Sequence, residues 1–330
     1  MKYLIRQVTA EDIRPAFDLL SRVFMEYEAP GYDIEAIEWF QKDLTYKQTQ
    51  ADIWLSGSRL MFVALDNDNL IGMIDAKENG HIQHMGVDGD YHRQGIGTEL
   101  MNHAVCALKL RGLDKLTLDS SPYGLPFYLN YGFLPAGTEQ KKDGFVFTPM
   151  VYEPKEIWDV LDAKGNKTGR YIERGRKMAA EDYHLVVQIW KYNGKNEWLI
   201  NKRAPNRGTS IDGKWETTGG AALSGDDSLT AALRESREEL GLELDPKKGT
   251  LFHRVTHHGY DGHKWLQDAW VFRHDCPIEA VRFQESETCE AIWATPEKIR
   301  EMMAKGEFLS DWFYPYFDEM VEMFTNGKKG

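Results

Sequence analysis

A chain of 330 residues exceeds what one hydrophobic core usually serves, so two domains of ordinary size are expected. With 42% hydrophobic and 12% aromatic residues and no repeat or low-complexity tract, the composition excludes a disordered or fibrous protein. A net charge of −12, from 52 acidic and 40 basic residues, disfavours non-specific attraction to nucleic acid or an anionic membrane.

Residues 2–8 read as a strand, and Ile13, Phe17, Leu20 and Phe24 then recur at helical spacing, followed by a second helix at 33–44. Short strands are expected at 60–65, 70–76 and 81–87, the first two joined by the turn Asp66-Asn67-Asp68-Asn69. A helix follows from Gly95 to about Leu110, then a strand at 115–118. Another helix opens with Ser121 as cap and Pro122 at its first position and stops at Gly132. A strand at 145–152 closes this half. Around Pro154 the pattern restarts, which places the boundary near residue 153 and gives domains of 1–152 and 153–330. Beyond it come a strand-turn-strand from Ile157, strands at 183–192, 197–203 and 265–273, and helices at 228–240 and 296–305. No stretch approaches the roughly eighteen apolar residues of a membrane span. The opening MKYLIRQVTAEDIRP turns charged too early for a leader, so a cytoplasmic location is expected. Cys106, Cys276 and Cys289 are odd in number and lack a CxxC pair, which argues against disulfides or a zinc knuckle.

The second half carries Gly219-Gly220 and then Arg234-Glu235-Ser236-Arg237-Glu238-Glu239-Leu240-Gly241. On a helix Glu235, Glu238 and Glu239 stand at i, i+3 and i+4 and project from one face. Such crowded acids repel unless neutralised, and a hard divalent cation neutralises them; a solvated acidic face is the plainer alternative. The segment from Gly220 to Leu242 resembles the Nudix box, with Asp226 where the first glutamate is usual and Ser236 where an aliphatic residue is usual. The resemblance implies an α/β/α sandwich over 153–330 that hydrolyses a diphosphate-containing substrate. It further implies Mg2+ or Mn2+ held by Glu235, Glu238, Glu239 and the Gly220 carbonyl, with Arg234 orienting Glu235. A further glutamate from a distant loop is implied as well; Glu287 is the candidate, with Glu285 and Glu290 as rivals.

Trp158–Asp162, Tyr183-His184 and Gly213-Lys214-Trp215 resemble the isopentenyl diphosphate isomerase branch of that superfamily. The loop Trp215–Gly220 lacks the isomerase cysteine, so hydrolysis is expected rather than isomerisation. Lys202, Arg203, Arg207 and Lys214 fall within thirteen residues holding one acid, Asp212. Lys202, Arg203 and Lys214 are expected to steady substrate phosphates. His253, His257, His258 and His263 fit no common zinc spacing, and Gly259–Gly262 between them reads as a loop, so contact with substrate or solvent is expected.

In the first half, His84–Thr98 reads as a strand running into a glycine loop and then a helix, whose free N–H groups can receive an anion. It lacks the Lys-Ser/Thr of a P-loop and the third glycine of a dinucleotide fingerprint. The loop resembles the acetyl-CoA pyrophosphate loop of GNAT-type acetyltransferases, with His92 in the place of the usual Arg or Gln. Pro126–Phe133 is similar to the same family's Phe-Tyr-x-x-x-Gly-Phe segment. The resemblance covers nearly the whole first half and implies a mixed sheet flanked by helices. Acetyl-CoA would be bound by Gly86, Val87, His92, Arg93, Gln94, Gly95, Ile96, Gly97, Thr98, Ser121 and Tyr128. The strand end Gly86-Val87 would pair with the pantetheine arm, and Tyr128 would act as general acid. Asp75, Glu78 and His84 stay open as the base, and Glu28, Tyr32 and Trp39 would shape the site of a small cationic acceptor.

The fold class is thus mixed α/β (α+β), a GNAT-type domain followed by a Nudix sandwich. The leading expectation is a bifunctional enzyme that hydrolyses a nucleoside-diphosphate-linked or other diphosphate substrate and acetylates a small amine. The alternative is a nucleotide- or acyl-CoA-binding sensor with one or both domains silent; a third possibility is that the hydrolase alone works. Neither substrate is fixed, and the oligomeric state stays open, a homodimer included.

Overall fold

The computed structural model describes residues 3–205, 208–259, 262–284 and 286–326; Arg207, Glu285 and the pair Tyr260-Asp261 of the expected loop lie outside them. Backbone contacts divide the chain into two compact units, Met1–Ile157 with Tyr171–Arg174, and Trp158–Arg170 with Gly175–Gly330. No helix of the described residues is long and apolar enough to cross a membrane.

In the first unit β1 (Leu4–Gln7), α1 (Ala10–Tyr27), α2 (Ile34–Gln48) and α3 (Ala51–Leu55) precede β2 (Leu60–Asp66), β3 (Asn69–Ala76) and β4 (His81–Val87). There follow α4 (Ile96–Leu110), β5 (Leu116–Ser120), α5 (Leu125–Tyr131), β6 (Leu134–Pro135), β7 (Gln140–Lys142) and β8 (Phe145–Tyr152). The sheet runs β1-β2-β3-β4-β5-β8-β6, with β7 on β8. Alternation along β2 sends Met61, Val63 and Leu65 toward Ile13, Phe17 and Leu20 of α1. It sends Leu60 and Ala64 toward Leu100, Met101 and Ala104 of α4. Each such fully buried leucine or phenylalanine contributes about 1.5–3 kcal/mol, so the two helices are held on by their apolar stripes. The Thr9 amide donates to Asp12 Oδ2 at 2.7 Å and fixes where α1 begins.

The β4–β5 pair is parallel and short. Its register runs His81↔Thr117 and Ile82↔Leu118 and stops there, although β4 continues to Val87. The strands therefore part, and the wedge between them is what positions the first site.

A hairpin of β9 (Ile157–Leu161) and β10 (Lys167–Glu173) leads to β11 (His184–Tyr192), β12 (Trp198–Arg203), β13 (Trp215–Glu216) and β14 (Thr218–Ala221). Next come α6 (Ser228–Leu240), β15 (Gly249–His258), β16 (Lys264–Arg273), β17 (Thr288–Ala294), α7 (Pro296–Ala304) and α8 (Phe317–Asn326). The sheet runs β13-β12-β11-β16-β15, with β14 on β11 and β17 on β12; β11 and β16 are parallel. Val187 and Ile189 of β11 meet Ala231 and Ala232 of α6. Trp190, facing the other way, meets Ile299, Met302, Phe317 and Met320 of α7 and α8. Helices on both faces make the expected α/β/α sandwich.

Two local expectations need correction, and one strand was not foreseen. The helix carrying Tyr128 opens at Leu125 with Gly124 as its cap. Ser121 Oγ instead accepts from the Gly124 amide at 3.1 Å and closes a separate turn first, so Pro122 is outside the helix. Gly219-Gly220 is not loop but the middle of β14, paired to Gln188 and Val187 of β11. Finally, His253, His257 and His258 lie on β15, a strand whose mostly exposed residues gave no alternating apolar pattern.

Candidate functional sites

In the second unit α6 is set by its ends. The Asp227 side chain accepts from the Thr230 amide at 2.7 Å, and Gly241 turns the chain away at φ 65°. Within it Ala231 and Ala232 face the sheet, which brings the next turn's Glu235 against β14. A Cβ at Gly220 would stand 2.4 Å from the Glu235 carboxylate, so the helix can dock there because that position is glycine. Glu235 and Glu239 point inward and are buried, whereas the Glu238 side chain is half exposed.

Arg234 fastens this group. Its guanidinium donates to Asp226 Oδ2 at 3.2 Å, Glu235 Oε1 at 2.9 Å, Glu238 Oε2 at 3.0 Å and the Ala221 carbonyl at 3.0 Å. The shorter arm of Asp226 thus still reaches its partner. Ser236, the other departure from the motif, is fully buried, and its hydroxyl has no partner.

Burial, reinforced by Glu238 and Glu287 and opposed by Arg234, pushes Glu235 up to about 7. Burial also raises Glu239 well above the usual carboxylate range, with Glu216, Glu235 and Glu287 adding to it. Glu287 therefore joins the cluster, as does Glu216, which sequence reasoning missed. Glu290 does not; it is half exposed and lies 3.8 Å from Lys202.

With Arg234 between them, no three His, Cys, Asp or Glu side chains of the described residues stand ready to ligate a metal ion. The donor set nevertheless fits a divalent cation in kind. Glu239 Oε2 is buried without a partner, and neighbouring acids drive up each other's affinity for a proton, the usual mark of a missing positive charge.

A second missed residue lies beneath. Lys191 is fully buried on β11, donating to Thr218 Oγ1 at 2.9 Å and to the Ile189 carbonyl at 3.3 Å. Burial pushes it down to about 7, while Glu239 pulls it up. Thr218 passes the chain on to Asn201 at 3.2 Å, and Asn201 to Thr288 at 3.4 Å. A lone charge inside the apolar run Leu185–Tyr192 was the available signal.

The three expected phosphate cations do not converge. Arg203 reaches the carboxylates and donates to Glu216 Oε1 at 2.7 Å. Lys202, one residue earlier on the strand, lies over the Trp215 ring at 5.7 Å, and Trp215 packs with the α7–α8 core. The Lys214 side chain is half-buried on the loop entering β13. Of the histidines, His253 and His258 are exposed, while His257 is buried against Trp265 and Trp312. His263 Nε2 faces His184 Nε2 at 2.9 Å, and His184 stacks on Trp158.

In the first unit, a cleft of about 970 Å³ occupies the β4–β5 wedge. Of the eleven expected cofactor residues, all except Gln94 line it. Gln94 instead donates to the Asp90 carbonyl at 3.2 Å and accepts from Tyr3. Gly95 caps α4 at φ 86°, a conformation that costs a residue with a side chain about 1–2 kcal/mol. With no side-chain cap there, the first-turn amides remain available to an anion.

His92 departs in orientation as well as identity. Its Nε2 lies 2.8 Å from the Val87 carbonyl, the strand-end group expected to pair with the pantetheine arm, and Tyr27 covers the ring. Burial, then the nearby Glu28, raises the Tyr128 pKa, so the phenol keeps its proton. Among the base candidates, Glu78 is exposed on a turn. Asp75 Oδ1 lies 2.6 Å from His84 Nδ1, and His84 lines the cleft with Lys47 Nζ 3.4 Å from its Nε2. Glu28, Tyr32 and Trp39 line the cleft too.

Comparisons with known proteins follow the same division. Residues 28–154 match the family model of the Acetyltransferase (GNAT) domain, and residues 182–314 that of the NUDIX domain. An uncharacterized Nudix hydrolase of Listeria monocytogenes is 32% identical over 163 residues, 49% of this chain and 90% of that protein. An uncharacterized N-acetyltransferase of Methanocaldococcus jannaschii is 30% identical over 113 residues, 33% of this chain and 50% of that protein. Likeness to the isomerase branch is slighter. The isopentenyl-diphosphate Delta-isomerase of Shigella flexneri is 31% identical over 88 residues, 26% of this chain and 48% of that protein.

Proposed function

Because the chain belongs to the Nudix hydrolase family and carries a GNAT acetyltransferase domain in its first half, we propose a division of labour with its join near residue 153. The second domain hydrolyses a nucleoside-diphosphate-linked or other diphosphate compound with Mg2+ or Mn2+, and the first transfers acetyl from acetyl-CoA to a small cationic amine. The observation that carries the first part is the buried carboxylate cluster with its unpartnered Glu239 oxygen. Glu235, Glu238, Glu239 and the Gly220 carbonyl would hold the cation, which when bound supplies Lewis acidity and an acidified water. Arg234 holds Glu235 in place, Glu287 is the candidate for taking a proton from water, and Arg203, which reaches Glu216 of the cluster, is the candidate for a substrate phosphate. In the first domain the α4 amides would receive phosphate oxygens, and Tyr128 would supply the proton that a departing thiolate takes.

The test is a screen of nucleoside diphosphate compounds with Mg2+, scoring release of phosphate or monophosphate beside a Glu239→Gln control. Release by the parent with a fall of at least about a hundredfold in the control is expected; no release, or equal release, refutes the reading. A second reading, a catalytically silent first domain, is favoured by the bond between His92 and the Val87 carbonyl. Calorimetry with acetyl-CoA decides between them, since no heat of binding removes the acetyl-transfer assignment.

A further inference from the structure

At the acceptor end of the first cleft, five rings form a continuous wall. Phe24 stacks on Phe40 at 4.0 Å and on Tyr32 at 5.8 Å, and Phe145 closes edge-on against Tyr32 at 5.2 Å and Trp39 at 5.9 Å. Trp39 is 59% exposed, so this wall opens to solvent at one end.

Four carboxylates line the same cleft, Glu28, Asp43, Asp119 and Asp143. Asp43 is taken by Lys47 at 2.5 Å, and Asp119 and Asp143 are exposed. Glu28, half-buried, stands beside Tyr128 with the Ser121 and Tyr32 hydroxyls against it, the Tyr32 hydroxyl donating to the Val146 carbonyl at 3.3 Å. Burial raises its pKa, so it is an acid that readily takes up a proton.

A cleft with one half-buried carboxylate beside Tyr128 and an aromatic wall suits a molecule with one ammonium and one flat apolar arm. A second ammonium would be drawn out of water against rings, with Lys77 and Lys142 also lining the cleft and no free buried acid to meet it. We propose that the acetyl acceptor is an arylalkylamine, its ammonium on Glu28 and its ring among Tyr32, Trp39, Phe40 and Phe145. This rests on the acetyl-transfer reading above.

The ammonium gives one proton to the Glu28 carboxylate, and the freed amine forms a C–N bond to the acetyl carbon as the C–S bond breaks. The sulfur takes its proton from Tyr128, which recovers one from the new amide nitrogen, and Glu28 returns its proton to water. The products are the amide, the free thiol and one proton.

The experiment measures thiol release from acetyl-CoA with 2-phenylethylamine, putrescine and spermidine, and binding of each amine by calorimetry without acetyl-CoA. Phenylethylamine is expected to bind and to exceed the polyamines in kcat/KM by about tenfold or more. Trp39→Ala should raise its KM about tenfold and leave kcat near the parent value, as loss of a ring contact predicts. Glu28→Gln should abolish its binding heat. If acetyl-CoA binds and a polyamine outperforms phenylethylamine, the acceptor assignment falls while acetyl transfer stands. If acetyl-CoA gives no heat and no amine releases thiol, acetyl transfer itself falls and the proposal with it.

Discussion

Replacing Glu235 by Gln removes a proton equilibrium from the centre of the carboxylate cluster while keeping an oxygen for Arg234 to bind. Burial raises this carboxyl from its ordinary 4.5 to about 7, and its side chain is 11% exposed, so solvent screens the shift little. Between those two values the folded chain holds a proton that the unfolded chain has released, and stability therefore falls as pH rises through the window. The difference between 4.5 and 7, at about 1.36 kcal/mol per pH unit, is worth about 3 kcal/mol. For a unit of this size that is roughly 6–12 °C in Tm. Calorimetric melts of divalent-free protein, read on the transition of the second unit, should show the parent losing this stability between pH 5 and pH 8. Glu235→Gln should lose much less and melt above the parent at pH 8. Equal losses in the two proteins would refute the argument that Glu235 is a desolvated acid awaiting a cation. Added Mg2+ at pH 8 should raise the parent's Tm more than the variant's.

Two further outcomes follow from the geometry. Lys191→Met removes a buried amine that burial holds at about 7 against an ordinary 10.5, so between those values the folded chain lacks a proton the unfolded chain keeps, and the parent gains stability as pH rises from 7 to 10; the variant should lack that gain, and an equal gain in both proteins would show that the lysine is a spectator. Tyr128→Phe should lower kcat for acetyl transfer by on the order of a hundredfold or more with acetyl-CoA affinity unchanged, and a normal kcat would remove the tyrosine from the reaction.

Features written into short segments were the legible ones. Glu235, Glu238 and Glu239 share a face because helical spacing alone dictates it, and Gly95 marks the α4 start because the loop needs a positive φ there. Lys191 was hidden because its significance depends on Glu239, which only the packing of α6 on β11 brings near. Glu216 was hidden likewise, its role depending on the β12–β13 pairing. The separation of Lys202 from Arg203 was readable in principle, since neighbours on a strand face opposite ways. His92 was found as a departure from a pattern, but its turn toward Val87 is a tertiary choice, available because the strand end leaves that carbonyl exposed to it.

Arg234 holds in one hand what a metal would hold in another: it contacts two of the three proposed carboxylate ligands, and Asp226 besides. Loading the site is then an exchange of counter-ions rather than the filling of a void. Part of the incoming ion's attraction goes into releasing a guanidinium, so apparent affinity is lowered by the strength of the clasp. In return, the clasp keeps the acids marshalled in the folded chain for the proposed cation.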